Sequence, residues 1–256
     1  MTARATTPEP AVEDGAGQYV QSLVDHWDEL IDWEQRKAGE GGFFDSLLSR
    51  AGARRVLDAA AGTGFHSVTL AEAGYDVTAT DGSQAMIDRA ASNARSRGVR
   101  LPTIRSDWND LHDTVDGRFD AVLCLGSSFP HLFDPAERAA VLREFHDALE
   151  PGGVLVLDHR NFDAIRAHRY RSSGNYYYCG DGVQVSVAHV DSERCRFRYE
   201  FAGRVTHHLE VYPVLADELA DLLREAGFDS VERFGDFHAE YDPYAADFII
   251  QVARKA

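Results

Sequence analysis

Two carboxylates and a glycine pair stand at a spacing that suits a nucleoside. The stretch VLDAAAGTG at 56–64 runs from a short apolar segment into a turn containing Gly62 and Gly64. Asp81 closes a second apolar segment, DVTATD, 23 residues after Asp58. Glycines after a strand let the backbone turn sharply and approach a ligand, and the following helix start offers unpaired N–H groups. An acid at the end of the next strand can accept both hydroxyls of a ribose.

The glycine register narrows the choice of nucleoside. AAAGTG lacks the GxGxxG spacing that brings a pyrophosphate to a helix end. S-adenosyl-L-methionine has no phosphate and ends in an amino acid beside a cationic sulfur, so this turn suits it better. Asp107 and Trp108 follow the third strand. Asp107 is placed to accept from an adenine amine and Trp108 to stack on the ring; a capping acid and a core tryptophan are the structural alternative.

The elements that must position these residues alternate. Apolar residues at 20, 23, 24, 27, 30 and 31 predict an amphipathic helix over 18–34, and a second helix covers 42–51. Strands are expected at ARRVLDAA, DVTATD, LPTIRSD, FDAVLCLG and VLVLDHR, with helices between them. Ser83 is the expected N-cap of one helix, and Gly98 its stop. This cadence predicts an α/β fold with a mostly parallel sheet covered on both faces. From 175 to 213 the texture changes to three or four aromatic-rich strands, read as an antiparallel insertion. A helix at 216–226 and strands FDSVERFG and DFIIQVARK complete the pattern.

Composition excludes several classes. The 42 acidic residues outnumber the 26 basic ones, for a formal charge of −16. That disfavours nucleic acid and anionic membranes, both of which need clustered Lys and Arg. Such a surface suits an ordinary solvated protein or a host working at raised salt, and charge does not separate the two. Cys124, Cys179 and Cys195 form neither a CxxC pair nor a zinc spacing, so no metal is expected. Their odd number suits a reducing cytoplasm. No signal peptide or apolar stretch long enough to span a membrane is apparent.

The chain resembles the glycine N-methyltransferase family, most closely its bacterial glycine/sarcosine N-methyltransferases of glycine betaine synthesis. The resemblance runs through WDELIDWEQR (27–36), VLDAAAGTGFHSVTLAEAGYDVTATDGSQAM (56–86), FDAVLCLGSSFPHLFD (119–134), VLVLDHRNFDAI (154–165), YYYCGD (176–181), RFRYEF (196–201), GDF (235–237) and DFIIQVA (247–253). It implies a Rossmann-like class I methyltransferase core at 53–160 and 214–256. It also implies a helical lid at 18–52 and a substrate-side insertion at 161–213; the polar, Pro-containing start without apolar periodicity is read as a disordered tail at 1–17. Tyr19, Trp27, Arg36, Ala60, Asp81, Met86, Asp107, Trp108, Leu125 and His131 would hold S-adenosyl-L-methionine, with Gly62 and Gly82 in the turns beside them. Arg160 would pair with the carboxylate of glycine or sarcosine, with Tyr178 and Tyr212 near it and Tyr199 a further candidate.

One position departs from the family pattern. Related enzymes usually carry Asn in CLGNSF, where this chain has Ser127. A serine reaches less far than an amide, which leaves open a bulkier or more methylated acceptor. A related small-molecule N- or O-methyltransferase and a cofactor-binding regulator without turnover remain alternatives at this stage, and no oligomeric state is read from the residues.

Overall fold

The computed structural model describes residues 26–170, 178–201 and 205–256. The tail at 1–17, Tyr19, the start of the first expected helix, and Tyr176 and Tyr177 lie outside the described residues.

A seven-stranded sheet forms the centre. Its strands are β1 (Arg55–Asp58), β2 (Asp76–Asp81), β3 (Thr103–Arg105), β4 (Phe119–Cys124), β5 (Leu149–Arg160), β9 (Ser230–Gly235) and β10 (Phe248–Arg254). They lie in the order β3-β2-β1-β4-β5-β10-β9. The first five pair in parallel, while β10 runs antiparallel to both β5 and β9. A second sheet of β6 (Val183–Val190), β7 (Cys195–Phe201) and β8 (Val205–Val211) is antiparallel throughout. The α/β class with a mostly parallel sheet and a separate antiparallel sheet is therefore as the residues predict.

Burial on both faces explains the unbroken apolar strands. Along β4, Phe119, Val122 and Cys124 join one core cluster, and Ala121 and Leu123 join the other. Helices α4 (Phe65–Glu72), α5 (Gln84–Ser96), α7 (Pro135–Asp147) and α9 (Ala216–Glu225) flank the sheet, joined by the short α6 (Leu111–Thr114) and α8 (Phe162–Arg166). Ser83 caps α5 by accepting from the Met86 N–H, and Asp134 caps α7 by accepting from the Ala136 N–H. None of the described helices is long and apolar enough to cross a membrane.

The single helix expected over 18–34 is corrected in its described part. It is two helices, α1 (Trp27–Leu30) and α2 (Trp33–Glu40), broken at Ile31–Asp32. Ile31 bridges Cys179, and the Asp32 N–H donates to the Tyr178 carbonyl at 2.9 Å. Asp32 then caps α2 by accepting from the Gln35 N–H at 2.9 Å. Helical spacing was legible; the competing cap and the bridge to Cys179, far along the chain, were not. Helix α3 (Phe43–Ala51), read as part of a lid, sinks Phe44, Leu47 and Leu48 into the core on one face of the sheet.

The first turn tests the role of its glycines. Gly64 has φ +91°, and a methyl added there meets Ala90 Cβ at 3.0 Å and Cα at 3.2 Å. Gly62, at φ +54°, has only the Trp27 Nε1 at 3.8 Å. Gly64→Ala is expected to cost about 3 kcal/mol, from left-handed strain plus overpacking of α5. Gly62→Ala should cost about 1 kcal/mol. Denaturant unfolding of the two variants checks the order.

Candidate active site

The carboxyl ends of β1, β2 and β4 open into a cleft of about 540 Å³. Ligands in open α/β sheets bind at this edge. Ala60 and Gly62 line it from the first turn, Asp81, Gly82 and Met86 from the end of β2 and the start of α5. Asp107 and Trp108 line it after β3, and Leu125 and His131 after β4. Trp27 and Arg36 close it from α1 and α2. Among the described residues, every side chain assigned to the cofactor thus meets one cavity; Tyr19 lies outside them.

The Asp81 carboxylate ties the first turn to the second strand. Its Oδ2 accepts from the Gly62 N–H at 2.9 Å and its Oδ1 from the Ser83 N–H at 2.8 Å. Loss of solvent raises its pKa to about 6, against the lowering effect of these two N–H groups. A carboxylate accepts roughly four hydrogen bonds, so about two sites remain for a diol. Trp108 donates its indole N–H to the Ala59 carbonyl at 2.6 Å and sets its ring edge-on to Phe145, 6.0 Å between centroids. Asp107 is exposed and paired with Arg105 at 2.8 Å. These groups fit S-adenosylmethionine: a diol acceptor at Asp81, apolar walls from Met86, Trp108 and Leu125, and a guanidinium at Arg36 for a carboxylate.

A second cavity of about 60 Å³ adjoins the first. Trp27, Ile31, Arg36, Gly126 and His131 line both. Arg160 stands in its wall, 3% exposed, and donates through Nη2 to the Tyr178 hydroxyl. Three rings surround its guanidinium: Phe197 at 4.8 Å, Phe248 at 5.0 Å and Tyr178 at 5.7 Å. Ser127 and Tyr199 line the same cavity. Burial pushes the His131 pKa down to about 4, so its imidazole is neutral at ordinary pH and adds no positive charge between the two cavities.

Ser127 sits in an unusual backbone. Gly126 and Ser127 have φ of 79° and 60°, consecutive left-handed residues, and the Ser127 N–H donates to Asp158 Oδ1 at 2.6 Å. Burial raises the Asp158 pKa, while the Ser127 and Gly126 amides and the Arg36 charge pull it back. The Ser127 hydroxyl accepts from the Arg160 N–H at 3.3 Å, tying this turn to the end of β5.

Tyr212 is not brought into either cavity. Its hydroxyl donates to Glu218 at 2.9 Å, and the Arg138 guanidinium lies 3.8 Å over its ring. Its backbone N–H donates to Pro130, and Arg138 donates to the Leu132 and Phe133 carbonyls. Tyr212 therefore supports the loop that carries His131. The YP pair at the end of a strand carries no signal of which way the ring turns.

Residue-level reading missed Glu40, His66 and Asp158. Glu40 stands four residues after Arg36 on α2, and Asp158 two residues before Arg160 on β5, spacings that place each pair on one face. Both signals were in the sequence.

Residues 56–153 match the model of a methyltransferase domain. The chain is 49% identical to the glycine/sarcosine N-methyltransferase of Halorhodospira halochloris, over 93% of this chain and 89% of that protein. It is 45% identical to the protein of the same name from Aphanothece halophytica, over 93% and 90%. The chain belongs to the glycine/sarcosine N-methyltransferase family. Its fold is also that of an S-adenosylmethionine-dependent methyltransferase from Clostridium acetobutylicum ATCC 824, with TM-score 0.72 at 17% identity, covering 92% of this chain and 98% of that one. Membership makes it an S-adenosylmethionine-dependent methyltransferase.

A ribose held by Asp81 would bind with a pH dependence set by that carboxyl. Only the ionised carboxylate accepts both hydroxyls of a ribose. Affinity for S-adenosylhomocysteine is therefore expected to be flat above pH 7 and to fall about tenfold per unit below pH 6. Calorimetric titration from pH 5 to 8 checks this, and Asp81→Asn should bind weakly with that dependence removed.

Proposed function

We propose that this chain methylates the amine of glycine and of sarcosine. The observation that carries the reading is Arg160, enclosed by three rings in the wall of a small cavity that adjoins the cofactor cleft. At about 60 Å³ that cavity has room for roughly four or five water-sized groups, the scale of the smallest amino acids. The relatives named above bear glycine and sarcosine in their names, which supports the same choice of acceptor.

When bound, S-adenosylmethionine supplies a methyl group already activated on a cationic sulfur, so the chain needs no nucleophile of its own. The residues have four tasks. Asp81, Trp108, Met86 and Arg36 hold the nucleoside and amino-acid ends. Arg160 takes the acceptor carboxylate in a bidentate grip, with the Tyr178 hydroxyl fixing the guanidinium. That grip leaves the amine nitrogen turned toward the neighbouring cleft. The narrow cavity excludes water, and alignment of this kind supplies several kcal/mol of barrier lowering, about 7 in well-oriented cases.

Neutral His131 and the faces of Trp27 and Tyr178 tolerate a cationic centre. Ser127 is small and is held by Asp158, which suits the extra methyl of sarcosine. The three cysteines are free thiols in buried positions, which supports a cytoplasmic setting, and the acidic surface supports a small-molecule acceptor over nucleic acid.

Arg160→Ala is expected to raise KM for glycine at least about a hundredfold, because a charged hydrogen-bonded pair is lost, with S-adenosylhomocysteine affinity changed little. Tyr212→Phe, whose hydroxyl serves Glu218, should leave KM for glycine within about twofold. Steady-state kinetics of both variants check the reading, and an unchanged KM in Arg160→Ala overturns it.

A further inference from the structure

Arg36 lines both cavities, so its guanidinium has two places to turn. Glu40, one helical turn along α2 and 7% exposed, accepts from Arg36 Nε at 2.8 Å through Oε1. The same oxygen lies 2.9 Å from Nε2 of His66, in the first turn of α4. A carboxylate only accepts, so His66 carries its proton on Nε2. We propose that Glu40 is a positioning residue for the cofactor: it clamps Arg36 and His66 on one oxygen and so aims Arg36 at the carboxylate of S-adenosylmethionine. The proposal rests on the reading of Arg36 as the partner of that carboxylate.

Three observations favour a positioning role over simple packing. Both partners of Glu40 line the cofactor cleft, and they stand on two different helices, α2 and α4. Burial pushes the Glu40 carboxyl up, and its contacts with His66 and Arg36 outweigh that and hold it below the usual range, so Glu40 meets the Arg36 guanidinium as a carboxylate. Two further buried carboxylates, Asp58 and Asp158, feel the Arg36 charge from the ends of β1 and β5. An Arg36 released by Glu40 would be free to turn toward Asp158, which lines the second cavity with it. Fixing a long side chain in advance also removes an ordering cost from binding.

The test compares two ligands that share adenosine and a thioether. S-adenosylhomocysteine carries the amino-acid end; 5′-methylthioadenosine lacks it. Calorimetry on the full chain is expected to show Glu40→Ala weakening the first at least about tenfold and the second less than about twofold, with Glu40→Gln between wild type and alanine. In turnover, KM for the cofactor rises while kcat at saturation is kept. Equal weakening of both ligands would show a general structural role and overturn the proposal, as would no weakening of S-adenosylhomocysteine in either variant. Glu40→Gln keeps the side-chain shape and supplies the answer if the alanine variant does not fold. An Arg36→Ala variant with Glu40 intact that kept the preference for S-adenosylhomocysteine over 5′-methylthioadenosine would overturn the underlying reading of Arg36 instead.

Discussion

Two permanently charged guanidinium groups stand where little water reaches, and the site is arranged around holding them there. Leaving a buried charge uncompensated costs about 3–5 kcal/mol when a partner is removed. Arg36 meets that demand through Glu40, and Arg160 through the Tyr178 hydroxyl and a surround of aromatic faces. Each is anchored by the fold and also lines a cavity. A ligand with a carboxylate at the right place completes such a site at little further reorganisation.

The sheet brings the two together. The ends of β1, β2 and β4 form the larger cleft, while the end of β5 carries Asp158 and Arg160 on alternate positions of one strand. The antiparallel sheet adds Phe197 and Tyr199 from β7 to the second cavity. The break between α1 and α2 lets Ile31 bridge Cys179 beside Tyr178, which links the entrance helices to the acceptor side. Separate parts of the chain thus meet around one junction, lined by Trp27, Arg36 and His131.

Much of this was legible in the residues because it depends on local chemistry. The strand, glycine turn, helix and terminal acid at 56–81 need only short-range patterns, and the structure places Asp81 on the Gly62 and Ser83 amides. Apolar periodicity located the parallel strands. It did not see the break at Ile31, because that depends on a contact with Cys179 far along the chain. Nor did it orient Tyr212, whose ring and hydroxyl are placed by Arg138 on α7 and Glu218 on α9, both on other elements. Ser127, unusual as a type, is unusual in backbone as well, and its left-handed turn depends on a carboxylate 31 residues later.

The central claim is that recognition of the acceptor runs through its carboxylate. Mass spectrometry of products formed with methyl-labelled S-adenosylmethionine tests it most directly, with glycine, sarcosine, glycinamide and methylamine compared at equal concentration of free amine. Labelled product is expected from glycine and sarcosine, and next to none from glycinamide or methylamine. Methylation of glycinamide or methylamine as fast as glycine would contradict it.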